Sequence, residues 1–113
     1  MKARVTESYR SAYANPIAFL LGDLVRVGVT DDEYPGWVWV IIADGNEGWA
    51  PLKYLEHPES GDAVANTDYS ARELDADAGE SVEVLKYLDG WVWCVNHEGQ
   101  CGWLPASVLD SFR

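Results

Sequence analysis

Cysteine and histidine are scarce in this chain, with two of each among 113 residues, and only eight lysines and arginines stand against nineteen aspartates and glutamates. Two cysteines, Cys94 and Cys101, cannot build the disulfide framework that staples small secreted domains. The shortage of basic residues, with a net charge of −11, disfavours nucleic acid and anionic membrane surfaces, because both are recognised largely through Lys and Arg. No apolar run is long enough to span a bilayer. Met1-Lys2-Ala3-Arg4 leads into Thr6, Glu7 and Ser8 without the apolar core of an export signal, so a cytoplasmic location is the expectation. The charge suits a basic protein or peptide as partner.

What the chain has in abundance is tryptophan, six residues within a composition that is 48% hydrophobic, enough for a packed core. All six fall into a repeat. Residues 36–55, GWVWVIIADGNEGWAPLKYL, and residues 90–109, GWVWCVNHEGQCGWLPASVL, agree at nine of twenty positions when the chain is slid by 54 residues against itself. The protein is a tandem duplication. Trp37 to Ile42 and Trp91 to Val95 carry the aromatic and β-branched residues of strands. Asp44-Gly45 and Glu98-Gly99 supply turns back toward Gly48-Trp49 and Gly102-Trp103. Leu24–Val27 and Val82–Leu85 add further strands. Short strands with frequent turns, and no amphipathic helix of useful length, predict an all-β chain of two small barrels. His57-Pro58-Glu59-Ser60-Gly61-Asp62 reads as the linker, which sets the expected domains at 1–56 and 63–113.

Catalytic and metal chemistry have little to work with, and no cofactor is expected. His97 lies in a turn beside Glu98 and Cys101, yet the first copy makes the same hairpin with Ala43, Asp44 and Glu47 at those positions. Cys94, His97 and Cys101 offer three metal ligands where a structural zinc site takes four. Strand alternation puts Cys94 on the inner face and Cys101 on the outer. No phosphate-binding loop is present, and Gly45-Asn46-Glu47-Gly48 is a turn carrying acid.

The order of these elements resembles the Src-homology-3 (SH3) domain, in a variant or bacterial-type form, twice along the chain. The resemblance rests on Ala65-Asn66-Thr67-Asp68-Tyr69 and Val5-Thr6-Glu7-Ser8-Tyr9 against the family's opening A-L-Y-D-Y, and on the turns Gly22-Asp23 and Gly79-Glu80. It continues through Gly36-Trp37 and Gly90-Trp91 to Gly48-Trp49-Ala50-Pro51 and Gly102-Trp103-Leu104-Pro105. It implies tandem five-stranded barrels that bind peptides, often proline-rich, without catalysis. Carried over by position, it implies a peptide groove at Tyr9, Trp37, Pro51 and Tyr54 with Trp49 beside them in the first copy. In the second copy it implies Tyr69, Trp91, Pro105 and Val108, with Trp103 beside them. Flat aromatic faces suit a polyproline II segment, and the indole N–H can donate to a peptide carbonyl. Glu7 and Thr67 replace the first tyrosine of the opening motif, and Val108 stands where the first copy has Tyr54, so the first copy is the better binding candidate.

Family carboxylates that pair with a ligand Arg or Lys correspond to Glu73, Asp75 and Asp77 in the second copy. In the first copy, acid sits instead before the tryptophan, at Asp31, Asp32 and Glu33. The expected partner is a protein or peptide with basic or proline-containing segments. The alternatives are a structural role with the aromatic faces buried between barrels or in a homodimer, and an acidic inhibitor of a basic partner. Trp39 and Trp93 lie two residues beyond Trp37 and Trp91 and share their face, which predicts that the other barrel or a partner covers them.

Overall fold

A computed structural model describes residues 1–12, 14–31, 33, 35–58 and 61–112, with Phe112 described in its backbone alone. The strands are β1 (Lys2–Arg4), β2 (Ala18–Phe19), β3 (Leu24–Thr30), β4 (Trp37–Ile41), β5 (Glu47–Pro51), β6 (Leu55–Glu56), β7 (Asp62–Ala65), β8 (Tyr69–Ser70), β9 (Ser81–Leu88), β10 (Trp91–Val95) and β11 (Cys101–Pro105). Single 3-10 turns occupy Leu52–Tyr54, Ala106–Val108 and Asp110–Phe112, and the described residues contain no α-helix. The chain is all-β, as the short strands and frequent turns predict. No helix among the described residues is long and apolar enough to cross a membrane.

The chain forms two compact units, and neither follows the expected boundaries at 1–56 and 63–113. One unit joins Met1–Asn15 to Arg72–Arg113, and the other is the continuous segment Pro16–Ala71. The opening arms of the two repeats have changed places. In the divided unit, β1 of the first repeat pairs antiparallel with β9 of the second through Lys2↔Glu83, Ala3↔Val82 and Arg4↔Ser81. In the continuous unit, β7 of the second repeat pairs with β3 of the first through Leu24↔Val64, Val25↔Ala63 and Arg26↔Asp62.

The segment expected as a linker, 57–62, explains part of this exchange. It is the connection of a hairpin, since β6 and β7 pair directly through Leu55↔Ala65 and Glu56↔Val64. His57 and Gly61 take left-handed backbone angles, φ 59° and 88°, and the Gly61 carbonyl accepts from Val27 N at 2.9 Å.

In the divided unit the sheet order is β1-β9-β10-β11. Its core gathers Ala3 and Val5 from the arm with Leu74, Val82, Val92, Cys94, Leu104 and Leu109. The continuous unit has the order β5-β4-β3-β7-β6 beside the small pair β2-β8. Its buried residues include Ile17, Phe19, Val25, Val38, Val40, Leu55, Ala63 and Ala65.

The GWVW segments serve the same purpose in each unit. Gly36 and Gly90 adopt φ 100° and 93°, which side chains rarely tolerate, and their carbonyls accept from Leu52 N and Ala106 N. Val38 and Val92 point inward and are fully buried. The tryptophans on either side lie on the opposite face, as strand alternation requires, where Trp39, Trp91 and Trp93 are half-buried and Trp37 is buried.

Candidate functional site

The hairpin β4–β5 sets Trp37 opposite Pro51 and Trp39 opposite Trp49, and β10–β11 repeats this with Trp91 opposite Pro105 and Trp93 opposite Trp103. Each second tryptophan therefore meets an aromatic neighbour across the strand. Trp39–Trp49 and Trp93–Trp103 are both edge-to-face with centroids 5.2 Å apart. Such pairs are worth about 0.5–1.5 kcal/mol beyond the area they bury. Part of the cover expected from outside for Trp39 and Trp93 thus comes from the adjoining strand. Glu47 Oε1 also accepts from the Trp39 indole at 2.7 Å. The position equivalent to Glu47 beside Trp93 is Cys101, so this hydrogen bond belongs to one copy alone.

Exchange of the arms regroups the expected groove residues. Tyr9, placed by sequence with Trp37 and Tyr54, lies in the divided unit, where its ring meets Trp91 edge-on at 6.2 Å. Tyr69, placed by sequence with Trp91, lies in the continuous unit. There it meets Tyr54 at 5.8 Å and Phe19 at 5.4 Å, and its hydroxyl donates to the Trp49 carbonyl at 3.2 Å. The observed groups are thus Tyr9, Trp91 and Pro105 with Trp103 and Val108, and Tyr69, Trp37, Pro51 and Tyr54 with Trp49. Phe19 had no sequence signal as a neighbour, because β2 becomes its frame only when β8 pairs beside it through Phe19↔Tyr69.

Accessibility separates the two groups at their tyrosines, first tryptophans and prolines, while Trp49 is half-buried and Trp103 and Val108 are buried. Tyr9, Trp91 and Pro105 are half-buried. Trp37, Tyr54 and Tyr69 are only 6%, 8% and 8% exposed, and Pro51 is fully buried. The Trp37 Nε1 atom is buried with no hydrogen-bond partner among the described residues. Leaving a buried donor unpaired costs about 1–3 kcal/mol.

The acidic residues proved to hold the exchanged arm. Glu73 Oε1 accepts from the Tyr9 hydroxyl at 2.9 Å and from Ala12 N at 3.0 Å. Asp75 accepts from Ser11 N at 2.7 Å, and Asp77 pairs with Arg10. The Asp77 hydrogen bond, with its charge, raises the Arg10 pKa above its ordinary value. In the first copy, Asp31 Oδ1 accepts from Glu33 N at 2.8 Å and so braces its own loop, while Asp32 lies outside the described residues.

The thiol and imidazole groups are placed apart by strand parity. Cys94 is fully buried, opposite Gly102 on the inner face, and burial pushes its thiol up to about 12. Cys101 is half-buried opposite Val95, and both cysteines are free. The exposed His97 lies 3.8 Å from Glu80 and 3.9 Å from Glu98. No cluster of metal-binding side chains occurs among the described residues.

Comparison with curated proteins and with solved structures gives no match. One family does match, and over the length of the first repeat: residues 2–57 fit the model of the variant SH3 domain.

Proposed function

We propose that this protein is a non-catalytic interaction module of two SH3-like barrels, each completed by the other repeat's opening arm, and that it takes a peptide on the surface of Tyr9, Trp91 and Pro105. The match to the variant SH3 domain supports a protein-interaction role. The observation that carries the choice of surface is exposure: these three residues are half-buried, while Trp37, Tyr54, Tyr69 and Pro51 are enclosed. Two tilted rings beside a proline suit the ridged, preformed surface of a proline-containing segment. Charge adds less than the composition suggests, because Glu73, Asp75 and Asp77 already accept hydrogen bonds or an ion pair from the arm. Exposed pairs contribute only about 0–1 kcal/mol in any case.

The structural alternative fits the other aromatic group. Enclosure of Trp37, Tyr54 and Tyr69 supports a packing role for them in the continuous unit. A peptide array of proline-containing sequences probed with the full chain tests both assignments. Trp91→Ala is expected to lose the bound spots, while Trp37→Ala keeps them and lowers the melting temperature. Loss of binding with Trp37→Ala in a chain that still folds, and retention with Trp91→Ala, would reverse the assignment.

A further inference from the structure

The continuous unit leaves four aliphatic side chains in water at one place. Leu20 and Leu21 are 63% and 67% exposed in the turn before β3, and Leu24 and Val64 form an outward cross-strand pair on β3 and β7. Backbone hydrogen bonds join these pieces: Gly22 N donates to the Ala65 carbonyl at 2.8 Å, and Ala65 N to the Asp23 carbonyl at 2.9 Å. Single exposed aliphatics are ordinary on a protein surface, whereas a contiguous group marks a contact.

The duplication provides an internal control. In the divided unit the equivalent pair is Arg4↔Ser81, and the residues equivalent to Leu20 and Leu21 are Asp77 and Ala78. Across that row, Glu56–Val64–Leu24 in one unit becomes Asp110–Arg4–Ser81 in the other, with Asp110 Oδ1 accepting from Arg4 N at 3.0 Å. The same strand pairing is thus built with polar side chains, and the fold does not require the leucines.

Carboxylates frame the apolar patch. Asp23 accepts from Leu20 N, and Asp68 accepts from Leu21 N at 2.8 Å. Glu56 sits opposite Val64, and Asp62 opposite Arg26, which lies 3.8 Å from it as the nearby cation. A second copy of this chain, at net charge −11, would bring acid against acid. We propose that Leu20, Leu21, Leu24 and Val64 form a docking surface, separate from the aromatic groove, for a protein segment whose aliphatic side chains are flanked by Lys or Arg.

Titration of the full chain with a synthetic helical peptide, leucines on one face and lysines on the other, tests this. The variant Leu24→Ser/Val64→Thr should bind it roughly tenfold more weakly. Unchanged tryptophan emission would show that this variant remains folded. Leu24→Lys, which opposes the rim charge, should weaken binding independently if the double variant is poorly folded. Leu85→Ser, an exposed site in the divided unit, and Trp91→Ala should leave it unchanged, which distinguishes this surface from the groove. Equal affinity in wild type and both Leu24 variants would overturn the proposal. So would equal or tighter binding of the same peptide carrying glutamates, or a concentration-dependent dimer of the chain that the Leu24→Ser/Val64→Thr change dissolves.

Discussion

Val5 and Ala65 hold the same place in the two units. Val5 bridges to Leu109, Ala65 pairs with Leu55, and each is 1% exposed. Were each arm to stay with its own repeat, valine would enter the site fitted to alanine, and alanine would leave a void in the site fitted to valine. The two residues therefore favour exchange by volume. Val5→Ala should cost about 2 kcal/mol through lost burial and a cavity. Ala65→Val should cost about 1–3 kcal/mol through overpacking. Urea denaturation of both variants measures these losses, and a neutral Ala65→Val would show that the site is not filled by alanine.

The approach of the Glu73 and Leu74 backbone, which holds the arm, to the tryptophan hairpin depends on a missing side chain. A Cβ on Gly102 would lie 2.9 Å from the Leu74 amide nitrogen and 3.0 Å from the Glu73 carbonyl carbon. At the equivalent Gly48 its three nearest neighbours would be side-chain carbons of Ile17, at 3.4 to 3.7 Å. Backbone cannot retreat as a side chain can. Gly102→Ala should therefore lower stability by about 1–3 kcal/mol through overpacking, and Gly48→Ala, whose Cβ would sit at about ordinary van der Waals distance, by clearly less. Thermal melts of the two single variants compare them directly.

Strand positions, the inward valines of GWVW, the tryptophans on the opposite face and the inner and outer cysteines all followed from period-two alternation and were legible in the sequence. Which arm closes which sheet was not. The two arms carry the same pattern, and the pairing that chooses between them links residues as far apart as Ala3 and Val82. The grouping of Tyr9 with Trp91 was hidden for the same reason. So was the work of Glu73, Asp75 and Asp77, whose partners lie on the exchanged arm at Tyr9, Arg10, Ser11 and Ala12. A ligand-facing acidic loop and an arm-holding one look alike until the arm is placed.

Burial of Cys94 gives stability an alkaline dependence. Its thiol is raised from 9.0 to about 12, so the folded state disfavours the thiolate. The contribution is complete below the pKa of the unfolded thiol and is lost as pH rises from there toward the folded value. Stability should fall between about pH 9 and 12 in wild type. Cys94→Val, which copies Val40 of the other repeat, should remove this component while keeping the core filled. Urea midpoints followed against pH in both proteins would show it, and parallel curves would contradict it. In native protein, a thiol reagent at neutral pH should modify Cys101 and spare Cys94.

Exchange also makes the two units unequal as fragments. All pairings of β2 to β8 lie within Pro16–Ala71, so that peptide holds a complete set of strands, though its size is near the lower limit for independent folding. The fragment Arg72–Arg113 lacks β1, leaving the Ser81–Glu83 edge of β9 and the Val5 position of the core empty. Pro16–Ala71 alone should show dispersed amide resonances and a cooperative melt. Arg72–Arg113 alone should be unfolded, and addition of the peptide Met1–Asn15 should restore its structure with saturable binding. A chain that kept each arm with its own repeat would behave otherwise: Met1–Glu56 would fold at least as stably as Pro16–Ala71, and Met1–Asn15 would have no effect on Arg72–Arg113.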